Sequence, residues 1–525
     1  MITMPVSRKQ LRFNVAGPCN PDEHYMLPPL DRLPGVMRLV EEGNYFVLHA
    51  PRQSGKTTAI QTLVDASNEK GEMRALYFSL EAAQAFTDSA EGMDRLAGNM
   101  VTDLLDHPLF GAVVAPFDPQ KGNRPPRLKR LLSLLAQTSG RPLAIFFDEV
   151  DALADGTLIT FLRELRDGYV SRRMIPFPVS VALVSMRNIR DYKARIRPDA
   201  QTMGSASPFN IITEALTLSS FSEADIRTLY GQHTAATGQA FTDEAVSTAY
   251  ALTRGQPWLV NALARECVEK IHERRYAEPV TAGDMETAKE TIIRARGTHV
   301  DSLMERLKEE RVRRVVEPVI LGDSVGASRN DDDYRYVLDL GILREDGPNL
   351  VPANPMYAEI ILRYLTVDQQ AAFGRTYPSP FWLLPDGSLD MPKLMAEFQK
   401  FWRENSESDR GIYEYKEAFP HLVLMAYLQR IVNGGGRILR EMALGALRLD
   451  LCVIFGEFRY AVELKMKRNY REPQSLDQFA AYLDRLGLDE GWMPVFDEDK
   501  TRPWSDKLFL REVSYAGKTI HIVGL

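Results

Sequence analysis

Apolar and polar residues along the first 215 positions alternate between short continuous runs and helical spacing. Tyr45-Phe46-Val47-Leu48-His49, Ala75-Leu76-Tyr77-Phe78-Ser79, Leu143-Ala144-Ile145-Phe146-Phe147 and Val179 to Ser185 are apolar runs. Runs of this length suit strands buried on both faces of a parallel sheet. A helix over Thr57–Ala66 separates the first two. Strand–helix alternation predicts an α/β layer with right-handed crossovers. After about Leu216 the pattern turns helical. Ser222 caps a helix start in Phe221-Ser222-Glu223-Ala224-Asp225, and Pro257 stands in the first turn of another helix, in Arg254-Gly255-Gln256-Pro257-Trp258.

Further on, Leu303, Leu307, Val312, Val315, Val316, Val319 and Ile320 give one helical face over His299–Leu321. A short helix over Tyr334–Leu340 follows, then a hairpin over 342–351 around Asp346-Gly347, then a helix from Asn354. Leu394, Phe398 and Phe401 mark a helix in a docking segment, and Tyr415–Val432 marks another. Residues 446–467 read as two strands joined at Gly456-Glu457, and a helix carrying Gln478 and Tyr482 comes after them.

Chemistry enters at the end of the first strand. Ala50-Pro51-Arg52-Gln53-Ser54-Gly55-Lys56-Thr57-Thr58 is a phosphate loop. Its backbone N–H groups cradle phosphates, Lys56 reaches the β/γ oxygens, and the Thr57 hydroxyl suits Mg²⁺. The helix that follows adds a positive N-terminal dipole. The first Gly of the usual pattern is Ala50 here. Gln53, Ser54, Gly55, Lys56, Thr57, Thr58 and Asp148 are the expected ATP-binding residues. Asp148 and Glu149 stand at the carboxyl end of their strand, where open α/β sheets bind ligands. Asp148, with Thr57, is expected to hold Mg²⁺, and Glu149 to polarise the attacking water. Ser185 and Asn188 are candidates to sense the γ-phosphate. Arg172, Arg173, Arg190 and Arg195 are alternative arginine fingers, and the sequence does not choose among them.

The second constellation lies on the predicted hairpin. With Gly456-Glu457 as the turn, Phe455 opposes Phe458, and counting outward Asp450 opposes Glu463. Opposed residues share a face with Cβ atoms about 4.5–5.5 Å apart, and Lys465 shares that face. Two opposed carboxylates repel, and a divalent cation relieves this; oxygen ligands suit Mg²⁺ or Mn²⁺. The amine suits orienting water or stabilising charge on a phosphate.

Composition narrows the reading. The chain has 525 residues, 45% hydrophobic and 26% charged, which is the balance of a globular protein of about three or four domains. No apolar run approaches the ~18 residues of a membrane span, and Met1–Pro5 lacks a signal-peptide core. Cys19, Cys267 and Cys452 lie far apart, so a reducing, cytoplasmic home is expected and a cysteine metal cluster is not. Net charge is −7, so the whole molecule is no basic nucleic-acid sponge. Locally, Arg163, Arg166, Arg172, Arg173, Arg187, Arg190, Lys193, Arg195 and Arg197 outnumber Glu164, Asp167 and Asp191. That excess faces phosphates or is balanced elsewhere in the fold.

Three resemblances organise these residues. The helical segment with Gly255 and Pro257 resembles the lid of AAA+ and signal-transduction (STAND) ATPases, in which the Pro region lies near the nucleotide. The order helix, helix, hairpin, helix resembles a winged helix. Asp331, Asp332, Asp333 and Asp339 make its second helix acidic, which favours an intramolecular role over a DNA groove. Asp450, then Glu463-x-Lys465, resembles the PD-(D/E)XK nucleases, although Leu449 stands where the motif's Pro is usual. Gln478-x-x-x-Tyr482 matches a Gln and Tyr that many of those enzymes carry beside the site, which adds Gln478 to the catalytic candidates. Glu417 or Glu441 is a further candidate ligand.

The expected layout is therefore an α/β multidomain chain. Its parts are a P-loop ATPase core (1–215), a helical lid (216–295), a winged helix (296–366), a docking segment (367–410) and a nuclease-like α/β domain (411–525). The resemblance implies a STAND/AAA-like ATPase of bacterial defence or mobile-element type, in which ATP controls a metal-dependent endonuclease acting on DNA more than RNA. It also implies self-assembly and no membrane partner. The alternatives are a signalling or scaffold ATPase whose last domain binds without cutting, and a DNA-loading ATPase that uses its winged helix.

Overall fold

The computed structural model describes residues 11–84, 86–118, 127–186, 210–295, 297–321, 331–347, 349–365, 382–405, 419–432, 436–444, 447–468, 470–497, 499 and 501–525. The chain forms two compact units. One comprises Met1–Leu303, Ala327–Asp346 and Pro352–Met356, and the other Met304–Gly326, Gly347–Val351 and Tyr357–Leu525.

The first unit is built on five parallel strands, β1 (Tyr45–His49), β2 (Arg74–Ser79), β3 (Leu143–Asp148), β4 (Ser180–Ser185) and β5 (Ile212–Thr217), in the order β2-β3-β4-β1-β5. Every strand side chain from Leu143 to Asp148 and from Ser180 to Ser185 is buried, because helices cover both faces. Alternate residues divide between them. Val47, Ile145, Phe147, Val181 and Leu183 join Leu96, Leu131 and Phe161 on one face. Phe46, Leu48, Phe146, Ala182 and Val184 join Ile60 and Leu63 of the phosphate-loop helix on the other. The parallel register brings His49 beside Ser185 and Ser79 beside Asp148, so the functional ends of the strands share one edge. The strands match the apolar runs to within a residue. The phosphate-loop helix is longer than its pattern, Lys56–Lys70. β5 is absent from the sequence expectation: as an edge strand it is only partly buried and carries no continuous apolar run.

Beyond β5 come the helices Glu223–Thr237, Asp243–Thr253, Pro257–Arg265 and Ala282–Ala295. Ser222 and Asp225 form a reciprocal capping box. Pro257 opens its helix as expected. Gly255 has φ +75°, and a Cβ there would lie 1.7 Å from the Phe221 carbonyl oxygen. Only glycine fits.

The single helix expected over His299–Leu321 is two, Thr298–Arg306 and Glu310–Leu321. The break falls where Arg306 pairs with Glu309 at 2.6 Å and Glu310 takes the N-terminal turn, where acids are favoured. Helix Asp332–Asp339, strands β6 (Leu343–Asp346) and β7 (Asn349–Pro352), and helix Pro355–Leu365 follow.

The second unit holds helices Met391–Asn405 and Phe419–Val432 and a mixed seven-stranded sheet. Its strands are β8 (Gly436–Leu444), β9 (Leu447–Phe455), β10 (Phe458–Val462), β11 (Lys465–Met466), β12 (Glu490–Phe496), β13 (Phe509–Tyr515) and β14 (Lys518–Gly524). The order is β13-β14-β12-β10-β9-β8, with β11 also paired to β12. Helix Glu472–Leu486 packs Leu476, Phe479 and Leu483 on Cys452, Ala461, Met493 and Ile522. The hairpin pattern alone indicates β9 and β10; β8 and β12–β14 come from the structure.

Candidate functional site

In the first unit the loop after β1 turns tightly. Gln53 and Gly55 both adopt left-handed backbone, at φ 56° and 93°. Ala50 N–H donates to the Ser185 carbonyl at 3.3 Å, and Ser54 Oγ donates to Pro51 O at 2.8 Å. Lys56 Nζ donates to the carbonyls of Ala50 (2.7 Å) and Pro51 (2.9 Å). Burial draws the Lys56 ammonium down to about 8, against the pull of Asp151, Asp148 and Glu149. A negatively charged ligand reverses that cost.

The Thr57 hydroxyl donates to Asp148 Oδ2 at 2.8 Å. Asp148 is 1% exposed and also accepts from Tyr77 OH at 3.3 Å and from Glu149 N–H at 2.9 Å. A hydroxyl and a carboxylate side by side are hard oxygen donors of the kind that hold Mg²⁺ beside a phosphate chain. Glu149 sits in left-handed backbone, φ 59°, and its carboxylate accepts from Ser79 Oγ at 2.8 Å. Burial raises the Glu149 carboxyl above its ordinary range, and Ser79 partly opposes this.

Lys56, Thr57, Asp148 and Glu149 therefore converge at one edge of the sheet. Thr58 does not join them: its hydroxyl accepts from the Cys19 N–H at 3.0 Å. Gln53 is engaged by neighbours, its side chain with His299 Nδ1 and its carbonyl with Gln256 Nε2 at 3.4 Å. Gln256 lies between Gly255 and Pro257, so this glycine and proline stand beside the loop. Ser185, buried at the end of β4, lies between the loop strand and the Asp148 strand. Arg172 stacks on Tyr169 at 4.0 Å and donates to Val179 O at 3.4 Å, at the edge where strands begin. Arg173 is exposed. Asn188, Arg190, Arg195 and the cations from Arg187 to Arg197 lie outside the described residues.

Arg32 is a member of this site that sequence reasoning misses. Its Nη2 donates to Ser54 O at 3.0 Å, its Nε donates to Ser219 O at 2.8 Å, and its guanidinium covers the Phe221 ring at 4.7 Å. Burial lowers it to about 10. The guanidinium ties the loop to the segment that leads into helix Glu223–Thr237.

The second unit carries the other constellation. Phe455 opposes Phe458 and Leu451 opposes Val462, the last ladder pair. One step further, side chains replace the ladder. The Leu464 N–H donates to Asp450 Oδ2 at 2.8 Å, and the Asp450 N–H donates to Glu463 Oε2 at 3.3 Å. Lys465 Nζ donates to Glu463 Oε1 at 2.8 Å. The ladder to β12 breaks at the same place: Val462 pairs with Trp492, and pairing resumes at Lys465 with Val495. Pro494 stands in that gap with no N–H to offer. Gln478 Nε2 donates to Tyr482 OH at 2.5 Å on the neighbouring helix.

Glu463 is 2% exposed. Burial, then the Asp450 charge, pushes its carboxyl well above the ordinary range. Burial works against Lys465, but the Glu463 and Asp450 carboxylates prevail and hold its ammonium above the usual value. Two carboxylates and one ammonium gather at this end of the hairpin, and carboxylate oxygens are the donors a hard divalent cation takes. Among the described residues no group of three or more His, Cys, Asp and Glu gathers. Glu417 lies outside the described residues, and Glu441 falls on β8.

No protein-family model matches the sequence, and no curated protein does. Among solved structures, the Walker-type ATPase PABY2304 of Pyrococcus abyssi is 12% identical, covering 66% of this chain and 99% of its own, with TM-score 0.47. The RuvB Holliday junction branch migration motor of Thermotoga maritima is 13% identical over 61% of this chain and 89% of its own, with TM-score 0.33. Cdc6p from Pyrobaculum aerophilum is 14% identical over 65% and 93%, with TM-score 0.34. The P-loop fold of the first unit rests on its own strand order and loop. Among the described residues no helix is long and apolar enough to cross a membrane.

Proposed function

We propose that the chain binds and hydrolyses ATP in its first unit and that this governs a Mg²⁺-dependent nuclease site for DNA in its second. The ATP reading is carried by the convergence of Lys56, Thr57, Asp148 and Glu149 at the phosphate loop. Lys56 and the loop N–H groups bind the phosphates. Glu149 accepts a proton from the attacking water.

The nuclease reading is supported by Asp450, Glu463 and Lys465 lying side by side, linked by the hydrogen bonds from Asp450 N–H and Lys465 Nζ to the Glu463 carboxylate. When bound there, Mg²⁺ supplies Lewis-acid chemistry to a phosphodiester. Asp450 and Glu463 hold the ion. Lys465 orients water and stabilises charge that develops on the phosphate. Gln478, braced by Tyr482, offers its amide to the same ligand.

Nucleotide control has its own support. Gln256 and His299 contact Gln53, and a Cβ on Gly341 would lie 2.4 Å from Pro51. Residues that follow the core in sequence thus grip the phosphate loop. An occupied loop would be read by the segment that runs on toward residues 304–365, whose element order resembles a winged helix in an intramolecular role.

The test is plasmid cleavage with Mg²⁺ or Mn²⁺, with ATP or a non-hydrolysable analogue. Asp450→Ala and Glu463→Ala are expected to lose cutting and keep ATP turnover. Lys56→Ala is expected to lose turnover and nucleotide control. Normal cutting by both carboxylate variants would overturn the nuclease reading; turnover by Lys56→Ala would overturn the ATP reading.

A further inference from the structure

Two consecutive carbonyls of the phosphate loop are held from outside it. Gln256 Nε2 donates to Gln53 O at 3.4 Å, and Arg32 Nη2 donates to Ser54 O at 3.0 Å. In a trans peptide the carbonyl and the N–H that follows it point in opposite directions. Holding the Gln53 and Ser54 oxygens therefore turns the N–H groups of Ser54 and Gly55 away from Gln256 and Arg32. Neither N–H donates to an acceptor among the described residues. Successive N–H groups set this way make a concavity for an anion.

The turn needs such holding. Gln53 keeps left-handed backbone at φ 56°, which costs energy for a residue with a side chain. At Gly55 a Cβ would lie 3.4 Å from Arg32 Nη1, so the guanidinium lies against the loop backbone. Arg32 also reaches the other way. Its Nε and Nη2 both donate to Ser219 O, and its guanidinium covers the Phe221 ring. Phe221 N–H donates to Gly255 O at 2.8 Å, and Gly255 precedes Gln256. The two holds on the loop thus spring from chain segments bonded to one another. Asp225, in the capping box with Ser222, supplies charge that opposes the cost of burying the Arg32 guanidinium.

We propose that Arg32 is a positioning residue of the nucleotide site: its hold on the Ser54 carbonyl aims the Gly55 N–H at the phosphates of a nucleoside di- or triphosphate, and its hold on the Ser219 carbonyl passes that occupancy to residues 219–225. The inference rests on the ATP reading and names a regulation of that site. A phosphate that takes the Gly55 N–H polarises the same peptide and makes its carbonyl a better acceptor for Arg32. Occupancy and the Arg32 bond strengthen each other, so by linkage the order of 219–225 depends on the nucleotide. The shape of the cation matters as well as its charge, because a planar fork serves two carbonyls and lies on a ring where an ammonium does not.

The test compares full-length wild type with Arg32→Lys and Gln256→Glu. Lys keeps the charge and loses the fork. Glu keeps the oxygen that accepts from Leu259 N–H and loses the donor to Gln53. Calorimetric affinity for ADP and for a non-hydrolysable ATP analogue is expected to fall about tenfold in Arg32→Lys, and by less in Gln256→Glu. KM for ATP rises in parallel and kcat changes less, because the lost grip serves substrate and transition state alike. Amide hydrogen exchange reads the coupling. In the wild type the saturating analogue slows exchange at 50–58 and at 219–225. In Arg32→Lys, at a concentration that saturates it, 50–58 is slowed and 219–225 is not. Where Arg32→Lys does not fold, Gln256→Glu makes the same comparison, with the nucleotide-induced slowing lost at 255–259.

An Arg32→Lys protein with wild-type affinity and wild-type slowing at 219–225 would overturn the proposal, since charge alone would then suffice. Faster exchange at 219–225 with and without nucleotide, the nucleotide-induced change intact, would mark Arg32 as structural only and overturn it too. A wild type that binds neither ADP nor the analogue overturns the ATP reading and this inference with it. A wild type that binds and hydrolyses ATP beside an indistinguishable Arg32→Lys refutes the positioning role and leaves the ATP reading standing.

Discussion

Asp450 and Glu463 accept from one another's stretch of backbone: the Glu463 carboxylate takes the N–H of Asp450, and the Asp450 carboxylate takes the N–H of Leu464. Two acids that repel are thereby fixed side by side. Lys465 pairs with Glu463 at 2.8 Å.

That arrangement costs stability when both acids are ionised. Glu463 has its folded-state carboxyl raised by burial and by Asp450 from an ordinary 4.5. A raised acid contributes stability that is present in full below about 4.5 and lost as pH climbs through its folded value. In EDTA the wild type should therefore lose stability between pH 5 and pH 8, and Mg²⁺ should restore it. Asp450→Asn keeps an oxygen for Leu464 and removes the repelling charge. It should be more stable than wild type in EDTA at pH 8, by on the order of 1 kcal/mol or a few degrees in Tm, while losing cleavage. Thermal melts across pH with and without Mg²⁺ measure this; a less stable Asn variant at pH 8 would show that the pair is not under strain.

Ser79 and Glu149 support a second, kinetic expectation. Glu149→Gln removes the proton acceptor and should lower kcat for ATP by about 10²–10⁴-fold with little change in KM. Ser79→Ala acts through Glu149. The Ser79 hydroxyl opposes the rise that burial imposes on the Glu149 carboxyl, so its loss should push that carboxyl further up. The acid limb of the pH–rate profile should move to higher pH, with turnover falling several-fold near pH 6 and staying within about twofold at pH 8.5. A uniform loss at all pH values would instead mark Ser79 as structural only.

How much of this was legible follows from which groups partner which. β1 and β3 are plain in the sequence because both faces are buried, so every residue before the closing His49 and Asp148 is apolar. The register of β9 with β10 is legible because a two-residue turn at Gly456-Glu457 fixes it. β5 is hidden because an edge strand need not be apolar. β12 is hidden by Pro494, a residue that argues against a central strand and is tolerated where the ladder opens beside Asp450 and Glu463. Arg32 leaves no trace in sequence, because its partners are backbone carbonyls at Ser54 and at Ser219, 187 positions away. The break near residues 307–309 is invisible to apolar spacing, which Leu303, Leu307 and Val312 carry straight through it.

His299 gives a pH dependence for the phosphate loop itself. Its ring is 6% exposed, stacks on Trp258 at 4.5 Å and contacts Gln53. Burial draws it down from 6.5 to about 4. A histidine with a depressed folded value is neutral when buried, and the unfolded chain takes up its proton first. Its contribution is therefore intact above about 6.5 and drains away as pH falls toward 4, by about 3 kcal/mol if the first unit unfolds as a whole. The loss begins where His299 meets Gln53, so ATP affinity should weaken over the same window before global unfolding does. His299→Gln keeps an acceptor and a donor for Gln53 and removes the titration. Unfolding and ATP binding followed from pH 7.5 to pH 4.5 should separate the two proteins: the wild type falls steeply and the Gln variant shallowly. Parallel curves would mean that protonation elsewhere governs the loop.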